Sequence, residues 1–240
     1  MEFKSNTGLT VLAALAVAAC DATGPVDELD SQINEDVALV AADAALDDLV
    51  QMALPIGAAS FDGAAPPHTR SRIVTYFEDG VEAAAYDPET TDAIRIEVLV
   101  SGAVERGEWS ASVERTRDLM VTGLEGAETT RIWNGTGSSD VSRSVHNDAE
   151  GSRSYDLSAQ GQIIDVVRGV PRSENPWPLS GTITRSVIVT IVNGPNGDET
   201  RTREVTIVFD GTQFAAITVN GETFVLDLAA RDGDRPIRRR

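Results

Sequence analysis

Between Arg72 and Leu228 apolar and polar side chains alternate with a period of two, and no other feature narrows the fold as far. Ile94, Ile96, Val98 and Val100 alternate with Arg95 and Glu97, and Trp109, Ala111 and Val113 with Ser110, Ser112 and Glu114. Val187, Val189 and Ile191 alternate with Ser186 and Thr190, Val205, Ile207 and Phe209 with Glu204 and Thr206, and Phe224, Leu226 and Leu228 close the series. This period puts one face of each strand on a core and the other in water. Turn signals stand between the runs: Asp79-Gly80, Arg106-Gly107, Glu125-Gly126, Asn193-Gly194, Asp210-Gly211 and Asn220-Gly221. Asn-Gly and Asp-Gly supply the positive φ angles of tight hairpins. The expectation is a mainly β protein, an antiparallel meander of roughly nine or ten strands.

A sheet that wide curls, because strands twist. An outer-membrane barrel needs an apolar outer band and aromatic girdles, and this chain is 5% aromatic with Arg, Glu, Ser and Thr on the alternate face. A curled sheet or half-barrel, a soluble barrel and a two-sheet sandwich are left; consecutive hairpins favour the first two. One N-terminal helix over 33–54 is expected to pack on the sheet. Asn34 can cap it, Glu35 and Asp36 suit its first turn, and Pro55 stops it. Val37, Val40, Ala41 and Ala44, with Leu39, Leu46, Leu49, Val50 and Ala53, recur at helical spacing, which leaves Asp43, Asp47 and Asp48 expected outward.

Leu9 to Cys20 reads LTVLAALAVAAC, preceded by Lys4. The run is shorter than the ~20 apolar residues of a membrane-spanning helix and suits a secretory signal. Val17, Ala18, Ala19 and Cys20 resemble the lipobox of bacterial lipoproteins. That resemblance implies a signal peptide over 1–19, acylation of Cys20, and an exported protein held by lipid to a membrane face of the envelope, periplasmic or at the surface. Two or three acyl chains anchor stably where one does not. An ordinary cleaved signal with an incidental cysteine, or an N-terminal core helix, are the competing readings. The division that follows is a tether over 20–32, the helix over 33–54, a linker over 55–71, the β domain over 72–230 and a basic tail over 231–240.

The formal net charge of −18 repels nucleic acid, so no such partner is expected. Lys4 is the only lysine; the arginines suit bidentate contacts to carboxylate or phosphate, but codon usage in a GC-rich genome is the favoured account of them. With one cysteine, no disulfide forms within the chain. Two separated histidines and that cysteine do not make a zinc site. The oxygen-rich turns at Asn193–Glu199 and Asp232–Asp234 do not fit an EF-hand loop. No metal or cofactor is expected.

Two stretches offer binding residues. Asn134 to Ser154 is rich in hydroxyls, and Ser138, Arg143 and His146 there read as a rim for a polar ligand, or as an edge hairpin wet on both faces. Serine catalysis also needs a base and an oxyanion hole; His146 is the one base nearby, and no G-x-S-x-G elbow exists. Trp177 lies between Pro176 and Pro178, which hold it rigid and extended. It is a stacking platform or ligand gate in one reading and a plug over the open end of the core in the other. Trp109 and Trp133 fit core positions. No catalytic residue is assigned.

Anchor, helix and meander together resemble, in architecture alone, the open-barrel carriers of lipoproteins and lipids in the bacterial envelope. Asn175 to Thr184 resembles a stretch of uncharacterised envelope lipoproteins and brings no activity with it. The expected function is a non-enzymatic, membrane-anchored lipoprotein whose β domain binds an apolar small molecule or an envelope protein. A structural or adhesive module and an envelope hydrolase of glycan or ester are the alternatives. A carrier requires a concave face with more apolar surface than the helix covers.

Overall fold

The computed structural model describes residues 28–53, 61–65, 68–106, 109–124, 126, 128–147, 151–194, 197–230 and 236–239. Among the described residues a single helix, α1 (Glu28–Ala53), precedes twelve strands: β1 (Phe61–Ala65), β2 (His68–Glu78), β3 (Val81–Ala83), β4 (Ala93–Arg106), β5 (Trp109–Thr122), β6 (Thr130–Asn147), β7 (Gly151–Gly169), β8 (Pro178–Gly194), β9 (Gly197–Phe209), β10 (Phe214–Val219), β11 (Glu222–Asp227) and β12 (Ile237–Arg239). They form one antiparallel sheet that follows chain order, with β3 set aside as a short hairpin partner of β2. β1 and β12 are the two ends of the path, so the sheet is open. The fold is therefore the expected mainly β meander with one N-terminal helix, as an open sheet rather than a closed barrel or sandwich.

The sheet is curved around α1. Arg239 on β12 pairs with Glu35, and Arg115 on β5 and Arg70 on β2 reach Asp47. Nine strand spacings separate β2 from β12, about 43 Å if flat, whereas Glu35 and Asp47 stand only ~18 Å apart along a helix axis. Curvature closes that gap. The concave face is built from rows of registered side chains. One row is apolar nearly throughout: Val74, Ile96, Leu119, Gly135, Ile163, Ile183, Ile207, Ile217 and Phe224.

A bulge interrupts β7. Two residues, Ile164 and Asp165, stand against Asn134 of β6, because Trp133 pairs with Val166 while Gly135 pairs with Ile163. An extra residue reverses the in–out alternation beyond it. Leu157, Ala159 and Ile163 face the core before the bulge; Val166 and Arg168 are buried after it. Asp165 carries a φ of 47° and is held by Asn134, whose amide nitrogen donates to its carboxylate at 3.0 Å and whose oxygen accepts from its backbone N–H at 2.8 Å.

Several sequence boundaries are corrected. The helix begins at Glu28, inside the expected tether, and Asn34 is buried within it rather than capping it. Ser31 and Asn34 instead donate to the Glu222 carboxylate on β11 at 3.1 and 3.2 Å. The expected linker over 55–71 holds β1 and the start of β2, paired from Phe61–Arg72 to Ala65–His68; main-chain pairing orders an Ala/Gly-rich segment without any strand pattern in its side chains. The expected basic tail over 231–240 contains β12, with Ile237 buried, Arg238 stacked 5.2 Å over the Phe214 ring and Arg239 paired with Glu35 and Glu222. The side chains of Trp109 and His68 lie outside the described residues, whereas Trp133 is core, as expected.

The helix carries the largest correction. Asp43 is exposed, but Asp47 is half-buried and Asp48 is 1% exposed. Ala38, Ala41, Ala42, Ala44 and Ala45 are all buried too. Their small side chains let the helix sit deep in the concavity, and burial on most of its circumference marks an internal rather than a surface helix.

Candidate binding site

Arginine from the strands meets aspartate from the helix along the middle of the concave face. In register across the strands run Arg72, Val98, Arg117, Gly137, Gly161, Arg185 and Val205. Arg117 and Arg185 thus point toward one another over two glycines. Asp48 fills the space between, accepting from Arg117 Nε through one oxygen and from Arg185 Nη2 at 2.7 Å through the other. The glycines are required. A Cβ on Gly137 would lie 2.5 Å from the Thr116 carbonyl and 2.6 Å from Arg117 Cδ, and one on Gly161 would come within 3.0 Å of the Thr184 carbonyl. Burial lowers the pKa of Arg185, and Asp48 acts against that fall.

The next row repeats the pattern: Arg70, Val100, Arg115, Ser139, Ala159, Val187 and Arg203. Arg115 bonds Asp47, Arg70 stands 3.9 Å from the same carboxylate, and Arg203 and Arg201 bond Asp30. The helix is thereby fastened by its acidic residues as well as by its apolar ones.

Alongside the C-terminal half of α1 an open cleft of about 630 Å³ remains, within the ~300–1,000 Å³ range of small-molecule sites. Leu46, Leu49 and Val50 of the helix line it, with Val100 and Val113 from the sheet. Arg70 and Arg115 with Asp43 and Asp47 add charge, and Leu228, Ala230 and Pro236 add another flank. The remaining wall is Arg168, Arg172, Pro176, Trp177 and Pro178. Val50 is 50% exposed, an apolar side chain facing this space uncovered.

The bulge in β7 turns Arg168 inward at that wall. Its guanidinium donates to the Leu49 carbonyl at 3.3 Å and to the Pro176 carbonyl at 3.1 Å. The first bond places a cation at the helix C-terminus, where the dipole favours it; the second fixes the loop bearing Trp177. Gly169 seats that loop, since a Cβ there would lie 2.4 Å from Asn175 Cβ. Burial, then the charge of Arg172, pushes the Arg168 pKa down to about 10, which leaves it protonated at neutral pH.

Of the sequence candidates whose side chains are described, Trp177 lines the cleft and Ser138 does not. Ser138 stands beside Gly137, so it points to the convex face, where its hydroxyl lies 2.7 Å from that of Thr116. Arg143 and His146 are placed only by backbone register, opposite Tyr155 and Ser152; their side chains lie outside the described residues. His146 is eight residues beyond Ser138 on one strand, about 26 Å away, and the two are not brought together. Val17, Ala18, Ala19 and Cys20 lie outside the described residues. Arg168 and Arg172 escaped notice because only the bulge turns Arg168 inward, and the Asn134–Asp165 pair that pins it carries no motif. Among the described residues no three His, Cys, Asp or Glu side chains gather as metal ligands would, and no helix is long and apolar enough to cross a membrane. Comparison with family models, curated proteins and solved structures finds no match to this chain.

Proposed function

We propose that this protein is a lipid-anchored lipoprotein of the bacterial envelope, tethered through Cys20, whose β domain binds an apolar ligand without transforming it. The supporting observation is the cleft beside the end of α1, with Leu49, Val50, Val100, Val113 and Trp177 on its walls. Such a concave space, with an apolar wall beside charged side chains, suits ligand binding. Because α1 covers most of the concave face, the carrier role narrows to this cleft. The test is uptake of an uncharged apolar dye, N-phenylnaphthylamine, by delipidated protein. Saturable binding that Trp177→Ala weakens is expected; no uptake, or uptake indifferent to Trp177, would remove the reading. Intact mass after expression in a bacterial host is expected to carry acyl groups on Cys20, and a bare thiol would remove the anchor.

A further inference from the structure

We infer that the cleft takes an anionic single-chain lipid, its headgroup on Arg168 and Arg172 and its chain along Leu49, Val50 and Trp177. This rests on the apolar-ligand reading above and adds the chemistry of the headgroup.

The inference comes from how arginine charge is balanced in the concavity. Arg117 and Arg185 share Asp48, Arg115 and Arg70 hold Asp47, and Arg201 and Arg203 hold Asp30. Arg168 departs from this rule. Its hydrogen bonds end on two backbone carbonyls, and among the described residues it has no carboxylate partner. The side-chain charge acting on it is that of Arg172, of the same sign. Arg172 is itself exposed and forms no ion pair among the described residues. The cleft's own carboxylates, Asp43 and Asp47, are both already engaged.

Two neighbouring guanidiniums without a carboxylate partner among the described residues, on a chain of net charge −18, form a local positive site in a negative surface. Guanidinium groups match carboxylate and phosphate oxygens geometrically, and a shared oxyanion relieves their mutual repulsion. The apolar wall begins at once beside them, where Arg168 bonds the carbonyl of Leu49 and lies next to the Trp177 loop. Charge and grease therefore adjoin, as in the ligand.

The test uses delipidated full-length protein and two fluorescent probes with the same chain, cis-parinaric acid and its alcohol. The acid is expected to bind about tenfold or more tightly than the alcohol, the scale of a charge-assisted hydrogen bond. Arg172→Glu, on an exposed loop, is expected to abolish that preference. Millimolar inorganic phosphate is expected to weaken the acid slightly and the alcohol not at all, since a headgroup without a chain binds poorly. Equal affinity for acid and alcohol, or a preference that survives Arg172→Glu, would overturn the headgroup assignment and leave the apolar reading standing. Phosphate that binds as tightly as the acid would make the site one for the free anion and overturn the lipid. Failure of both probes to bind would remove the apolar reading together with this one.

Discussion

Two places on the concave face use the same residue type to opposite ends. At Asp48, two buried arginines close on one carboxylate over a floor of glycine; at Arg168, an inward arginine meets, among the described residues, two carbonyls and a second cation. The first arrangement is complete and holds the helix in the sheet. The second is complete toward the backbone and, among the described residues, lacks a carboxylate at the cleft wall. An arginine's role here is read from its counter-charge, not from its burial.

The comparison can be broken first at Asp48. Asp48→Ala removes the shared partner of two buried guanidiniums, and losing one member of a buried pair costs ~3–5 kcal/mol. A denaturant titration should show that loss as a lower midpoint; a drop under about 1 kcal/mol would reduce the clasp to an ordinary surface contact. Gly137→Ala comes next, at about 1–3 kcal/mol for overpacking, because the clash is with backbone and with Arg117 itself. Gly161→Ala should cost less, since its neighbours stand at 3.0–3.2 Å.

At the other site the expected effects fall on binding rather than stability. Arg172→Glu should shift stability by no more than about 0.5 kcal/mol while removing the acid preference in the probe assay. Were it to unfold the protein, the claimed division between structural and binding arginines would fail. Trp177→Ala should weaken dye uptake roughly tenfold, as loss of a large aromatic contact does.

The smallest effect belongs to the convex face. Arg95 donates to both carboxylate oxygens of Asp118 at 2.8 and 2.7 Å, and these bonds hold the Asp118 pKa below its usual value. A depressed folded-state pKa contributes stability above the unfolded value, near pH 4, and loses it as pH falls through the lower folded value. The pair is solvent-exposed and therefore weak. Asp118→Asn is expected to leave the neutral-pH midpoint indistinguishable from wild type and to flatten slightly the decline below pH 4.

Much of the fold was legible because it depends on local rules. The alternation at Ile94–Val100 or Val205–Phe209 is the pleat itself, and the turns fall where Asp79, Gly80, Asn220 and Gly221 take positive φ. Trp177 was legible as a binding candidate because its prolines make it conspicuous. β1 and β12 were not, since an edge strand such as Phe61–Ala65 forms by pairing with a neighbour and carries no pattern of its own.

By itself the sequence determined the strand period, the turns, the single helix and the excess of negative charge, all set by bonded geometry or by composition. Only the tertiary structure decided that Asp48 faces inward and that Arg168 bonds two carbonyls with no carboxylate among the described residues. Asp48 owes its place to Arg117 and Arg185, 69 and 137 positions away, and Arg168 owes its direction to one extra residue in β7. Where a charge is buried, and what it meets there, follows from which distant segments the curved sheet brings face to face.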